Sequence, residues 1–487
     1  MDKDLYSRQQ AREMVEEAWN AQKGWAFASQ EEVDRVCQAM AEVAYGAADR
    51  LGRMATEETG FGVPEHKLIK NQFASKVVWE SIRDVPTVGI VNKDDAQKYY
   101  EIAWPMGVIA ALTPSTNPTS TVINKVLMAV KARNAIVISP HPSAVNCCLS
   151  ATDLMKKAAV SSGAPEGLIH CMSEVSLPGT NELLSHRKTA LILATGGSEM
   201  VRVAHSQGKP AYGVGPGNVP VYVDRSADLE KAARYIVASK AFDHSLICST
   251  EQSVVADRPI AARLKELMEA EGAFWLTPHQ AEALGLLLFK SDGVIDPTMV
   301  GKSPQYLAAA AGIQVPEKAR ILVANLKVVG PEEPLSREKL TPVLGFYVED
   351  GWENGCNRSL ELIHFGGRGH SLVIHATDEE VIMAFGLEKP VFRIGVNTMG
   401  TMGMIGMTTG ISPSLTLGSG GVGGSITGDN INVHHLYNLK RLAFEINDPP
   451  PEALLPGKEQ AKKGRKPDYQ ALEGLVRETI QDILDTR

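Results

Sequence analysis

The chain has 487 residues, 44% of them hydrophobic and 22% charged, the balance of an ordinary soluble protein long enough for two domains. A formal charge of −8, from 49 basic and 57 acidic residues, gives no basic field for nucleic acid or anionic lipid. No apolar run approaches bilayer length, and the opening MDKDLYSRQQAREMVEEAW has no apolar h-region. Six cysteines in a chain this size make no disulfide framework, so a reducing, cytoplasmic setting is expected.

The first 70 residues read as helical, with apolar spacing such as Val33, Val36, Cys37, Met40 and Val43. Two β-rich runs around the polar turn Asn92–Asp95 predict a hairpin over about 85–104. The pattern then alternates. Met106–Leu112, Ala135–Ser139, LIHCM, ALILAT and Val219–Val223 read as short apolar strands, separated by helices such as STVINKVLMAVKARN and SEMVRVAHSQ. That order predicts a parallel sheet covered on both faces. A second α/β region follows from Ala227 to Asp378, and a glycine-rich stretch, Gly418–Ser425, precedes a last strand-like segment ending near Phe444.

Composition changes at Asn447. Residues 447–467 carry five prolines and no apolar periodicity, the composition of an extended linker. In 468–487, Leu472, Leu475, Val476, Ile480, Ile483 and Leu484 form one apolar stripe on an expected helix.

Two glycine clusters invite a phosphate reading. Gly213–Asn218 resembles a dinucleotide fingerprint, but a strand follows it where the fingerprint needs a helix. Ala194–Val201 has the strand–turn–helix order, with Gly196 and Gly197 at the turn; it suits either a phosphate or a plain tight turn. Five cysteines read as small buried hydrophobes, and no C-x-x-C or paired Cys/His spacing predicts a metal site. Cys248, in FDHSLICSTEQ, lies among small polar residues between a helix and a strand, the setting of a nucleophile, though spacing alone does not decide its role.

From about Ala11 to Phe444 the chain resembles the aldehyde dehydrogenase superfamily, in its CoA-acylating branch, which includes the N-terminal half of bifunctional aldehyde/alcohol dehydrogenases. The segments carrying the resemblance run in order: LTPSTNPTS, ISPHPSA, ATGGSEMV, GVGPGNVPV, HSLICSTEQ, PLSREKLTPVLGF, GRGHSLVIH and PSLTLGSGGVGGS with DNINVHHLYNLKRLA. The alcohol dehydrogenase half has no counterpart in these 487 residues. The resemblance implies an α/β fold: a dinucleotide-binding domain over 1–226, a catalytic domain over 227–410, and a return segment over 411–446 that forms, with the hairpin, an oligomerisation element.

It also implies Cys248 as nucleophile, Asn117 as oxyanion donor and His370 as general base, with a structural histidine as the alternative. Thr113, Pro114, Ser139, His141, Gly196, Gly197, Val214 and Leu340 fall where the dinucleotide site lies, and Glu338 where a carboxylate holds the nicotinamide ribose. Hydrolytic relatives carry a water-activating glutamate where this chain has Gly213 or, with a shift of one residue, Val214. Neither side chain accepts a proton, so the acyl-enzyme is expected to await CoA. NAD is the expected dinucleotide, although no acidic residue is assignable to the adenosine ribose.

Acetaldehyde or propionaldehyde is the expected substrate, with sulfoacetaldehyde as the alternative. A hydrolytic aldehyde dehydrogenase, an acyl-phosphate reductase and a non-catalytic cargo adaptor are the rival readings. The tethered helix at 468–487 resembles encapsulation peptides of bacterial microcompartments, which implies shell or cargo proteins as partners. Its alternative is an arm packed on a neighbouring subunit of a homo-oligomer.

Overall fold

The computed structural model describes residues 2–290, 292–450 and 453. The expected helix at 468–487 lies outside the described residues, as does most of the linker beyond Pro450.

The chain opens with helices α1 (Lys3–Trp25), α2 (Gln30–Gly46), α3 (Ala48–Thr59), α4 (Pro64–Gln72) and α5 (Val78–Ile82). The predicted stripe of α2 faces inward, with Val33, Val36, Cys37 and Met40 buried, and its start is fixed by the reciprocal Ser29–Glu32 capping box. Strands β1 (Gly89–Asp94) and β2 (Tyr99–Pro105) form the predicted hairpin. Its turn falls three residues later than expected, over 95–98, because the Asp94 carboxylate accepts from the N–H groups of Ala96 and Gln97.

Five parallel strands follow: β3 (Val108–Thr113), β4 (Ala135–Pro140), β5 (Ile169–Cys171), β6 (Thr189–Thr195) and β7 (Ala211–Val214), in spatial order β5-β4-β3-β6-β7. Helices α6 (Pro118–Lys131), α7 (Val145–Ser161), α8 (Leu177–Ser185) and α9 (Ser198–His205) lie between them in sequence. All fourteen residues of α6 are buried, so this helix is central to the core rather than a cover for it.

A second, seven-stranded parallel sheet contains β8 (Val219–Val223), β9 (Glu251–Asp257), β10 (Ala273–Trp275), β11 (Ile321–Asn325), β12 (Val343–Glu349), β13 (Leu372–His375) and β14 (Ile394–Val396). Its order is β10-β11-β12-β9-β8-β13-β14. The sequence boundary at 226 assigns β8 to the first domain. In the structure β8 pairs with β9 and β13, so the passage between the sheets is the GPGN turn, Gly215–Asn218. Strands are better assigned by their neighbours than by sequence order, and both neighbours of β8 come later in the chain.

Both sheets belong to one compact unit, residues 1–91 and 102–440. A second, small unit comprises residues 92–101 and the described residues from Arg441 onward. Within it, the Phe444 N–H donates to the Lys98 carbonyl (2.9 Å), and Arg441 donates to Glu101 (2.9 Å). A last strand, β15 (Tyr437–Ala443), completes a three-stranded sheet of order β1-β2-β15.

Candidate active site

A cavity of about 230 Å³ lies where the two large sheets come together. The C-terminal ends of β3, β6 and β7 deliver Pro114–Asn117, Thr195–Gly197 and Val214 to its wall. The loops entering β8, β9 and β12 deliver Gly215–Pro216, Leu246–Cys248 and Glu338 with Leu340. The strand order explains the location. Chain order reverses direction between β3 and β6, and in open parallel sheets the crevice at the carboxyl end of such a switch point receives ligands.

Cys248 is the cavity's cysteine. It is partly exposed, whereas the other five are buried. Burial pushes its thiol up to about 12, and the Glu338 carboxylate adds to this. Arg393 and the backbone N–H groups of Cys248 and Ser249 pull in the opposite direction. Glu338 accepts a hydrogen bond from the Gly217 N–H (3.0 Å), and burial raises its carboxyl above the usual range. Gly217 itself is tightly enclosed: a Cβ there would stand 2.2 Å from the Cys248 carbonyl oxygen and 3.1 Å from His370 Nδ1. The GPGN turn therefore needs glycine for close approach to the cysteine loop.

Asn117 precedes α6, and its Nδ2 donates to the Leu246 carbonyl and to Thr116 Oγ1 (both 3.1 Å). Beneath it, buried Lys125 donates to the carbonyls of Leu112 (2.6 Å) and Leu193 (2.8 Å), fastening β3 to β6 just below their loops. Gly197 is the N-cap of α9, with no side-chain cap and open space where a Cβ would stand. Helix N–H groups and access for a phosphate are thus both present, and Glu338 offers an acceptor for ribose hydroxyls elsewhere on the wall. The donors and acceptors fit a dinucleotide.

Pro114, Asn117, His141, Gly196, Gly197, Val214, Cys248, Glu338 and Leu340 all line the cavity. Three expected residues do not. Thr113 is buried, its hydroxyl 3.6 Å from Cys148 Sγ. Ser139 Oγ pairs with Thr180 (2.9 Å). His370 is buried beside Gly217, its Nδ1 paired with Ser371 Oγ (3.0 Å). Burial, with Arg393 adding, pushes His370 down to about 3, far from the basicity a general base uses near neutral pH.

Strand alternation sends Gly213 and Val214 to opposite faces of β7. A Cβ on Gly213 would meet Val201 Cγ1 at 2.5 Å and His205 Nε2 at 2.7 Å, so that position faces α9. Val214 faces the cavity. Of the two positions, Val214 is therefore the one that shares the cavity with Cys248.

Sequence reasoning missed Arg393, whose guanidinium donates to the carbonyls of His370 (2.8 Å), Gly418 (2.5 Å) and Gly428 (2.8 Å) and so ties the His370 segment to both ends of the 418–428 loop. It also missed Lys67, Lys70 and Asp243, a buried charged cluster that reaches Asn117. Lys67 and Lys70 are three apart on α4, a visible spacing, but nothing in the sequence marks that face as the buried one.

The cavity between the two parallel sheets thus carries a partly exposed cysteine, a side-chain amide, a buried carboxylate and an uncapped helix N-terminus on its walls. The chain belongs to the aldehyde dehydrogenase family, whose pattern it matches over residues 3–274. It is 40% identical to aldehyde-alcohol dehydrogenase 2 of Entamoeba histolytica over 86% of this chain, and spans about half (49%) of that protein's length. It is 36% identical to the succinate-semialdehyde dehydrogenase (acetylating) of Clostridium kluyveri, over 89% of this chain and 95% of that one. Among solved structures, an acetylating aldehyde dehydrogenase from Geobacillus thermoglucosidasius superimposes with a TM-score of 0.91 at 47% identity, covering 92% of this chain and 99% of its own. Two propionaldehyde dehydrogenases superimpose with TM-scores of 0.81 at 28% identity, over 89% of this chain and 97% of theirs. One comes from the Clostridium phytofermentans fucose utilisation bacterial microcompartment; the other, from Rhodopseudomonas palustris, holds CoA and an acylated cysteine.

Proposed function

We propose that this chain is a CoA-acylating aldehyde dehydrogenase that oxidises a short aldehyde to an acyl-CoA through a thioester on Cys248. The observation that carries this reading is Val214. This apolar side chain lines the cavity with Cys248 at the place where the resemblance puts the water-activating glutamate of hydrolytic relatives.

In this reading the Cys248 thiolate adds to the aldehyde carbon, and the resulting oxyanion takes hydrogen bonds from the Cys248 N–H and from Asn117 Nδ2, which exchanges its Thr116 contact for it. Gly197 and Glu338 would hold a dinucleotide, which would supply the hydride acceptor. Loss of hydride from the adduct carbon leaves the Cys248 thioester. The thiolate of CoA then adds to that carbonyl, the same donors hold the second oxyanion, and Cys248 leaves as thiolate. The net change is aldehyde, CoA and NAD to acyl-CoA, NADH and a proton.

The cavity walls support acetaldehyde or propionaldehyde as substrate. Met200, Val214, Leu246, Ile247, Ile405, Leu415 and Leu417 are apolar, and among the described residues no lysine or arginine lines the cavity to pair with a sulfonate or second carboxylate. A homo-oligomer is supported by exposed Leu439 and Leu442 on β15. Residence in a microcompartment, through docking of 468–487, is supported by the apolar stripe in the sequence and by the likeness to the C. phytofermentans enzyme.

The test is NADH formation from a panel of short aldehydes, with and without CoA. Sustained formation only with CoA, fastest for two- or three-carbon aldehydes, is expected. Equal steady rates without CoA, with free acid as product, would make the protein a hydrolytic enzyme.

A further inference from the structure

The buried face of α4 is polar: Lys67, Lys70 and Asn71, at i, i+3 and i+4, are all buried. Both lysines converge on Asp243, a fully buried carboxylate five residues before Cys248. Lys67 reaches Asp243 Oδ2 at 3.1 Å and also donates to the Thr116 carbonyl (3.2 Å). Lys70 bonds the same Oδ2 and donates to Asn117 Oδ1. The Val63 N–H donates to Asp243 Oδ1 (2.7 Å), and the Asp243 N–H donates to His66 Nδ1 (2.8 Å), whose ring stacks on Phe242. Gly62 leaves room for this carboxylate, since a Cβ there would stand 2.1 Å from Oδ1.

The cluster holds a strained backbone. Asp243, His244 and Ser245 have φ of 48°, 51° and 69°, three successive non-glycine residues in the left-handed region. Each such residue costs on the order of 1 kcal/mol or more, so an unsupported loop would relax. Here the carboxylate of the first is held by three donors, Lys67, Lys70 and the Val63 N–H, and the loop runs directly into Cys248.

We propose that Lys70, held by Asp243, is a positioning residue that orients the Asn117 amide with its N–H end toward the oxyanion. This rests on the oxyanion role of Asn117 given above. An amide can be turned end for end at little steric cost, and the wrong orientation would present a carbonyl oxygen to a developing negative charge. An ammonium group has donors and no acceptor, so it fixes Oδ1 toward itself. The Leu246 carbonyl, which only accepts, fixes Nδ2 at the other end. The cation also draws electron density from the amide and sits behind the developing anion in a poorly screened site. Asp243 favours its charged form: burial pushes Lys70 down to about 7, with the Asp243 charge acting in the opposite direction. A neutral Lys70 could accept from the amide and release it to flip.

The test is a double-mutant cycle on the full-length enzyme with Lys70→Met, Asn117→Ala and both together, measured with saturating NAD and CoA. Asn117→Ala alone is expected to cost about 10²–10³ in kcat. Lys70→Met is expected to cost on the order of 10–100-fold in kcat, the range for groups that orient a reacting ligand from one layer out, with NAD affinity and KM for aldehyde within about twofold. In the Asn117→Ala background the Lys70 substitution is expected to cost less than about twofold more, because the amide it acts through is gone. Should Lys70→Met fail to accumulate as folded protein, Asp243→Asn, nearly isosteric, is expected to show the same dependence on Asn117. A large loss in Asn117→Ala with full activity in Lys70→Met, or a Lys70 loss undiminished in the double variant, overturns the positioning role alone. Near-normal turnover in Asn117→Ala overturns the oxyanion reading and the positioning role with it.

Discussion

Val214 shares a cavity wall with Cys248, while Gly213, its neighbour on β7, is turned toward His205, whose Nε2 would stand 2.7 Å from an added Cβ. One residue of strand register thus separates a position that can act on the thioester from one that packs against a helix.

Val214→Glu should place a carboxylate on the β7 side of the cavity, where the native side chain is apolar. A carboxylate on that wall can accept a proton from water, and general-base catalysis is worth roughly 10²–10⁴. The variant is expected to form NADH steadily without CoA and to release free acid, read by absorbance and by chromatography of the product. Gly213→Glu, directed into Val201 and His205, is expected to lower the unfolding midpoint, at an overpacking cost of about 1–3 kcal/mol, and to gain no hydrolysis. Hydrolysis appearing in Gly213→Glu and not in Val214→Glu would place the register one residue off.

Cys248→Ala should abolish acyl-CoA formation while NAD still binds, because Gly197 and Glu338, the residues proposed to hold the dinucleotide, are left in place. Nicotinamide-cofactor titration by fluorescence, beside an activity assay, separates the two. A thioester trapped on any other cysteine of active enzyme would contradict the assignment.

The thiol's elevation has a pH signature. Thiolate is the alkylating species, and with the pKa pushed up to about 12 the thiolate fraction rises about tenfold per pH unit across the neutral range. Inactivation of ligand-free enzyme by iodoacetamide is therefore expected to accelerate continuously from pH 6 to 9. A plateau below pH 9 would show a thiol already ionised, with Arg393 and the two backbone N–H groups outweighing burial and Glu338.

The tail makes a separate prediction. A fluorescent protein carrying residues 468–487 is expected to co-localise with microcompartment shells, and charged residues at Leu475 and Ile483 are expected to disperse it, since docking would then bury unpaired charge. A tail fusion that stays diffuse, with truncation after Ile446 dissociating the oligomer, would make the segment a subunit arm.

Much of the fold is legible because its strands are short, apolar and buried on both faces; β3, β4 and β8 stand out against the helices around them. The cavity residues next to motifs, Cys248, Asn117 and Glu338, are legible through resemblance. What escapes is what periodicity misreads. The stripe Lys67, Lys70 and Asn71 has helical spacing, but polar stripes normally face water, and only the tertiary placement of Asp243 makes this one an inward face. Thr113, Ser139 and His370 fail for a related reason. Their segments border the site, yet strand alternation and the Gly217 approach turn their side chains into the core. The partners of β8 are equally hidden, because pairing across Val219–Glu251 and Val221–Val373 is long-range in sequence.

The most direct measurement is a single-turnover experiment on the intact enzyme with NAD and propionaldehyde but no CoA, followed by whole-protein mass spectrometry. One equivalent of NADH per active site, then a stall, with a propionyl group on Cys248 that CoA discharges as propionyl-CoA, is the predicted result. Continued NADH formation without CoA, with unmodified Cys248 and accumulating propionate, would contradict it.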